Sequence, residues 1–353
     1  MYKESLQFYK TVNKYENKTL KPGKLPLDHL EDLLKEIPNN DPRVELGPSI
    51  GEDAALIDIG DKYLVAKTDP ITFATEKIGW YAVHVNANDI AAMGATPKWM
   101  LATILLPDTA SDDDAKLILG QITDACDQMK ISLIGGHTEV TYGLSRPIVS
   151  GTMLGEVEKG KEVRSSGSRI GDSIIMTKSI PIEGCAILAT EAKEKLLDSG
   201  ISSSEIKTAQ ELLNNPGISV VNDAIIAAKY GNVTAMHDPT EGGIYGGLAE
   251  LAKASGLGMH VFEENIIVTP LGKKICNVLG INPMGMIASG SLLICSDPVD
   301  EDSIITALSR HGITAIKIGE MKPKSYGTKV RTGNRIIDMP SFERDELARF
   351  LSD

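Results

Sequence analysis

The stretch VNANDIAAMGATPKWMLATILLP, residues 85–107, decides the fold class. Its first half continues a run of apolar and small residues, Gly79 to Met93, that predicts a helix. Pro97 begins the approach to the next element, and WMLATILLP (99–107) predicts a strand. Upstream, AALIDIG (54–60) and KYLVAKTD (62–69) are short apolar runs bounded by Gly, Asp and Pro, hence two strands, the second ending at Asp69. Downstream, Ser111-Asp-Asp-Asp caps a helix whose Ala115, Ile118, Ile122, Ala125, Cys126 and Met129 recur at helical spacing. Its acidic first turn suits the helix dipole. Strands ISLIGG (131–136) and PIVSGTMLGEV (147–157) follow.

The second half repeats the style. It carries strand SIIMTK (173–178), helices within 183–197, 203–213 and 220–230, strand NVTAMHD (232–238), and a Gly-rich turn opening a helix at 239–253. Strand signals recur at 259–262, 289–295 and 313–319. Alternating strands and helices in both halves give an α/β or α+β class with two domains. The expected division is an N-terminal extension with a short helix, 27–37, over residues 1–47, then domains at 48–158 and 165–353. The charged, Ser- and Gly-rich EKGKEVRSSGSRIGD (158–172) marks the boundary.

Composition narrows the function. At 353 residues, 42% hydrophobic and 24% charged, the chain is not a disordered one. A net charge of −12 repels phosphate backbones, and 5% aromatics leave few stacking platforms, so no nucleic-acid role is expected. The uncharged run Ile275–Ser296 is broken by Asn-Pro-Met-Gly at 282–285 and predicts a helix end followed by a strand, not a membrane span. Residues 1–25 are polar and lysine-rich, without a signal-peptide core. Four widely spaced cysteines with no C-x-x-C pair predict buried thiols in a reducing cytoplasm.

Four aspartates stand where strands end or loops begin: Asp53 in IGEDAA, Asp69 in KTDP, Asp89 in VNANDIAAMGA and Asp238 in HDPTEGG. Hard cations such as Mg²⁺ take oxygen ligands, usually a few carboxylates shared with substrate phosphates. Each alone reads equally as a turn or cap residue, whereas four together point to a metal–phosphate site. GGHTEV (135–140), after an apolar strand, and PTEGGIYGG (239–247), opening a helix, are turns whose amides suit anions. No P-loop, Rossmann G-x-G-x-x-G, H-E-x-x-H or G-x-S-x-G occurs. His137 and Glu139 have deaminase-like H-x-E spacing, but no P-C-x-x-C follows, so zinc is unsupported.

IGEDAA, KTDP, NDIAAMGATP, GGHTEV, GDSIIMTK, HDPTEGG and ASGSLLI, in this order, resemble the ATP-binding superfamily related to aminoimidazole ribonucleotide (AIR) synthase, the PurM-like proteins. The likeness is strongest to its HypE-like hydrogenase expression/formation branch. It implies an α/β (α+β) two-domain fold, an N-terminal domain forming a dimeric β-barrel, and a homodimer. It also implies ATP and Mg²⁺ as cofactors. Carried over, Asp53, Asp69, Asp89 and Asp238 become metal positions, Asp89 and Asp238 also catalytic, and Asp69, Asn88, Gly135, Gly136 and Thr138 nucleotide positions. The implied activity is ATP-dependent phosphorylation or dehydration of a carbonyl or amide oxygen on a small-molecule or carbamoyl-type substrate. The alternatives are a kinase of the thiamine-monophosphate type and a nucleotide-binding maturation or assembly subunit without turnover. His137 departs from the acid of the AIR synthase and kinase patterns. The given sequence ends DELARFLSD, without the terminal cysteine of HypE proper, and Phe342, Leu347, Phe350 and Leu351 predict a packed terminal helix.

Overall fold

The computed structural model describes residue 25, residues 27–72 and residues 76–352. The first half runs α1 (Leu27–Leu34), β1 (Val44–Leu46), β2 (Ala55–Asp58), β3 (Lys62–Ile71), α2 (Ile78–Ala92) and β4 (Thr96–Leu106). It closes with α3 (Asp112–Met129), β5 (Ser132–Val140) and β6 (Ile148–Glu158). These strands form one sheet in the order β1-β2-β3-β6-β4-β5. Along β4 and β6 buried residues alternate with partly exposed ones, so one face is core and the other is wetter. The core face receives α2 and α3 through Val65, Met100, Ile104, Val149 and Met153 against Ala82, Ile90, Ile118 and Ile122. The Ser111 cap forms the full reciprocal pair with Asp114.

The second half begins with β7 (Ser173–Thr177), α4 (Ile182–Glu191), α5 (Lys193–Asp198), α6 (Ser203–Glu211), α7 (Val221–Tyr230) and β8 (Val233–His237). It continues through α8 (Gly243–Ser255), β9 (Gly258–Phe262), α9 (Pro270–Leu279), β10 (Leu293–Ser296) and α10 (Glu301–Arg310). It ends with β11 (Ala315–Lys322), β12 (Thr328–Thr332), β13 (Arg335–Asp338) and α11 (Glu346–Ser352). The second sheet has the order β13-β12-β9-β11-β7-β10-β8. Its strands β7, β10 and β8 are buried on both faces, whereas the edge strand β13 is exposed. On β7, Ile174 and Met176 join the cluster containing Leu248 and Leu251 of α8, while Ile175 joins the cluster with Ala224 of α7 and Ile304 of α10.

Helix α2 ties the halves together. All its residues except Trp80 are buried, and Ala91 and Ala92 belong to the second half's core. It has no polar face because it has no solvent side. The glycines of β6 let it sit so close: a Cβ at Gly155 would lie 2.4 Å from Ile90 Cγ2. The terminal segment packs as expected, with Leu347 buried and Phe342 over Gly285. One reading changes. GGHTEV is not a turn: it is the body of β5, paired in parallel with β4. The run Ile275–Ser296 divides as expected, into the end of α9, a 3-10 turn at Pro283–Gly285 and β10. No helix among the described residues is long and apolar enough to cross a membrane.

Candidate active site

Side chains alternate along a strand, so Val65, Lys67 and Asp69 share one face of β3. Val65 is fully buried in the core, and the next two residues on its face carry charge towards α2. Lys67 Nζ lies 3.7 Å from Asp69 Oδ2 and 3.4 Å from Asp89 Oδ2, the latter on α2. Burying a polar side chain in an apolar helix is costly unless it is satisfied, and the polar residues of α2 show where that cost is met. Asn86 accepts from the Asp69 N–H (2.8 Å) and donates to the Asp69 carbonyl (3.2 Å), pinning that aspartate's backbone. Asn88 donates to the Ile218 carbonyl (2.9 Å) and accepts from the Val220 N–H (2.8 Å). Both ends of the Asn88 amide therefore clamp the second half of the chain.

The loop before β2 brings in Asp53. Gly51 turns it with φ +78°, and a Cβ there would lie 2.9 Å from the Glu250 carbonyl, so the loop lies flush on α8. Glu52 accepts from the N–H groups of Ser165 (3.0 Å) and Ser166 (3.1 Å). Asp53 Oδ1 is 2.8 Å from His237 Nδ1, and His237 Nε2 is 2.9 Å from Glu250 Oε2. Burial works against a charged ring at His237, but the carboxylates of Asp53 and Glu250 outweigh it and hold the imidazole well above its usual range. Next along the chain, Asp238 is 2% exposed, and neither of its carboxylate oxygens has a hydrogen-bond partner.

Ligand atoms of Asp53, His237 and Asp238 lie within 4.8 Å of one another. Burial, and then the charge of Asp53, push the Asp238 carboxyl up; burial does the same to Asp89, against the pull of Lys67. Lys67 keeps its proton because Asp89, Asp69, Asp53 and Asp238 together outweigh its own burial. Converging buried carboxylates with idle oxygens suit a hard divalent cation carrying phosphate. His237 is saturated by its two carboxylate partners, so the donor set available to such a cation is oxygen.

The structure thus draws Asp53, Asp69, Asp89 and Asp238 towards one locus, but not the β5 residues. Asp69, Gly151, Ala102 and Gly136 stand in one row across β3, β6, β4 and β5, so Gly136 is three strands from Asp69, about 14 Å at 4.8 Å per strand. A Cβ on Gly136 would sit 1.9 Å from the Ala102 carbonyl oxygen: glycine is required there by strand pairing. Gly135, Gly136 and Thr138 instead line a cavity of about 480 Å³ with Ala102, Ile104 and Leu119. His137 and Glu139 are exposed and pair with each other (3.1 Å). Lys67, Asn86, Glu52 and Glu250 were not singled out from sequence. Only Lys67 carries a local signal, two positions before Asp69 on the same strand face.

The family models for the N-terminal and C-terminal domains of AIR synthase related proteins match residues 51–157 and 169–330. The chain belongs to the AIR synthase related family. A putative hydrogenase expression/formation protein of Methanocaldococcus jannaschii is 29% identical over 328 residues, covering 90% of this chain and 94% of that one. The carbamoyl dehydratase HypE of Bradyrhizobium diazoefficiens is 27% identical over 310 residues, covering 83% and 86%. In fold, hydrogenase maturation protein HypE in complex with ATP is similar with a TM-score of 0.68 at 20% identity, over 91% of this chain and 93% of that one. Thiamine monophosphate kinase of Aquifex aeolicus is similar at 0.62 and 19%, over 81% and 92%. The two-domain AIR-synthase-like fold expected from the motifs is therefore the fold of this chain.

Proposed function

We propose that this chain is an ATP- and Mg²⁺-dependent enzyme of the HypE-like kind. It transfers the γ-phosphoryl group to a carbonyl or amide oxygen of a small or carbamoyl-type acceptor, so that the oxygen becomes a leaving group. The observation that carries this reading is Asp238, a buried carboxylate with both oxygens unpartnered, converging with Asp53 and with Asp89 beside Lys67. The charges of His237 and Lys67 offset that burial only in part; a cation and the phosphates it carries would do the rest. Asp53, Asp69, Asp89 and Asp238 would hold Mg²⁺, which neutralises charge on the transferred phosphoryl group. Asn86 on Asp69 and His237 on Asp53 keep the carboxylates in position beforehand, as electrostatic preorganisation requires.

Relatives named carbamoyl dehydratase, matched over more than four-fifths of this chain, support the acceptor class. The fold shared with a HypE–ATP complex supports the nucleotide. The kinase reading has the fold likeness on its side, but His137 stands where that pattern carries an acid. A homodimer through β5 belongs to the same reading, supported by an open sheet edge bearing exposed Ile134 and Val140. Four buried thiols support a reducing, cytoplasmic setting.

The test is ADP release from Mg·ATP with and without acceptors. Stimulation by an uncharged thiocarbamate such as S-carbamoyl-N-acetylcysteamine, and not by thiamine monophosphate, is expected. Stimulation by thiamine monophosphate alone selects the kinase, and nucleotide binding without turnover selects the assembly subunit. Light scattering at micromolar concentration should return a dimer mass, and a monomer removes that part of the proposal.

A further inference from the structure

Beyond the aspartates, the second sheet holds another buried acid at the same end. Met176 of β7 and His237 of β8 both stand opposite Leu293 of β10, so the segments that leave β7 and β8 emerge side by side. One leads to Asp238; the other leads to Glu183, in the first turn of α4. The segment before β10 joins them. The Ala288 N–H donates to the Thr240 carbonyl (3.2 Å), two residues past Asp238, and Ser291 Oγ donates to the Thr177 carbonyl (2.9 Å) at the end of β7. Ser289, within that segment, lies beside Glu183.

Glu183 is 5% exposed and its Oε2 has no hydrogen-bond partner; Ser289 is 2% exposed and its Oγ has none. An acid in the first turn suits the dipole of α4, but that does not call for a buried carboxylate oxygen and a buried hydroxyl both left without a hydrogen bond, which is a costly arrangement. They border the seam between the halves, where Tyr81 of α2 packs with Ile182 and Ala186 of α4 and lies within electrostatic reach of the Glu183 carboxylate.

We propose that Glu183 is the proton acceptor on the acceptor-substrate side of this site, with Ser289 beside it and Tyr81 across the seam. The inference rests on the amide activation proposed above. In that step the amide oxygen forms a bond to the γ-phosphorus, and the bond from that phosphorus to the β,γ-bridging oxygen breaks. ADP leaves with the electron pair. One N–H proton of the acceptor passes to the Glu183 carboxylate, and its bonding pair completes the C=N bond of a neutral-nitrogen imidate phosphate. The proton returns to solvent when the products leave.

Burial, reinforced by Asp345 and Glu241 and opposed by Ser289, pushes the Glu183 carboxyl up to about 7, where it both takes and releases a proton. The charged or titratable groups facing it are Tyr81 from α2, Asp345 from the start of α11 and Glu241 from the turn before α8.

The experiment measures ADP formation from Mg·ATP and S-carbamoyl-N-acetylcysteamine against pH. Wild type should lose acceptor-dependent turnover as pH falls through about 7. Glu183→Gln should lower that turnover roughly 100-fold, with Mg·ATP affinity retained and a cooperative melting transition still present. Glu183→Asp should recover part of it with the acid limb displaced. A Glu183→Gln protein that keeps the rate and the limb overturns the inference alone. Should Glu183→Gln not fold, an unmoved limb in Glu183→Asp overturns it equally. If wild type itself forms no ADP in response to this probe, the reading of the function fails and takes the inference with it.

Discussion

Asp89 shows how one side chain serves both fold and chemistry. It sits on a helix buried on every side, with Lys67 as its counter-charge at 3.4 Å and no hydrogen bond on that oxygen. Asp89→Asn keeps the shape and removes one carboxylate from a group of four that repel each other. Mg²⁺-dependent ATP binding, followed by calorimetry, should fall by at least tenfold, about 1.4 kcal/mol. The melting temperature without metal should stay level or rise. Equal Mg·ATP binding by the variant would reduce Asp89 to a packing residue. Glu183 gives the pH counterpart. Its folded-state pKa is raised from 4.5 to about 7, so its contribution to stability is fully present below pH 4.5 and is lost as pH rises through about 7. The loss is on the order of 3 kcal/mol. Denaturation midpoints of wild type should therefore drop across that window, and those of Glu183→Gln should drop less; parallel curves would show that Glu183 is not the titrating group.

At the scale of elements, α2 is the part on which everything else is hung. Its Asn86 holds β3, its Asn88 holds the segment before α7, and its Asp89 faces the acidic cluster. Asn88→Ala would leave the Ile218 carbonyl and the Val220 N–H buried without partners, at a cost of roughly 2–4 kcal/mol. Urea denaturation should register that loss as a lower midpoint. A midpoint unchanged from wild type would mean that water replaces the clamp and that the seam is looser than its packing suggests. Strand β5 makes a different point about elements. The same glycines that read as an anion-binding turn are what a strand needs when a neighbouring carbonyl occupies the space of a Cβ, and Gly136 meets Ala102 in that way.

Across the whole molecule, the four thiols lie in the interior: Cys126 against the first sheet, Cys185 and Cys276 among the helices, Cys295 on β10. Burial pushes the Cys295 thiol up to about 12 and the Cys126 thiol up to about 11, far from the thiolate that would carry an acyl group. Incubation of the folded protein with ATP and a carbamoyl donor should leave all four cysteines unmodified by peptide mass mapping. A carbamoyl adduct on any of them would mean that the group is stored on this chain's interior and not presented to it from outside.

Much of this was legible from sequence because it depends on local periodicity. The apolar and small residues of α2, the Ser111 cap, the short apolar runs of β4 and β6, and the aspartates beside glycines and prolines are each set by residues a few positions apart. The terminal helix was legible for the same reason. What only the tertiary structure decided are the meetings of distant segments: Asp53 paired with His237, Asn88 with the backbone at 218 and 220, Lys67 with Asp89, and Glu183 buried beside an unbonded Ser289. A lone strand or turn carries no record of which distant charge will be buried beside it. That is determined when two sheets close on one helix, because desolvation makes a carboxylate's partner, or its lack of one, matter only once water is gone.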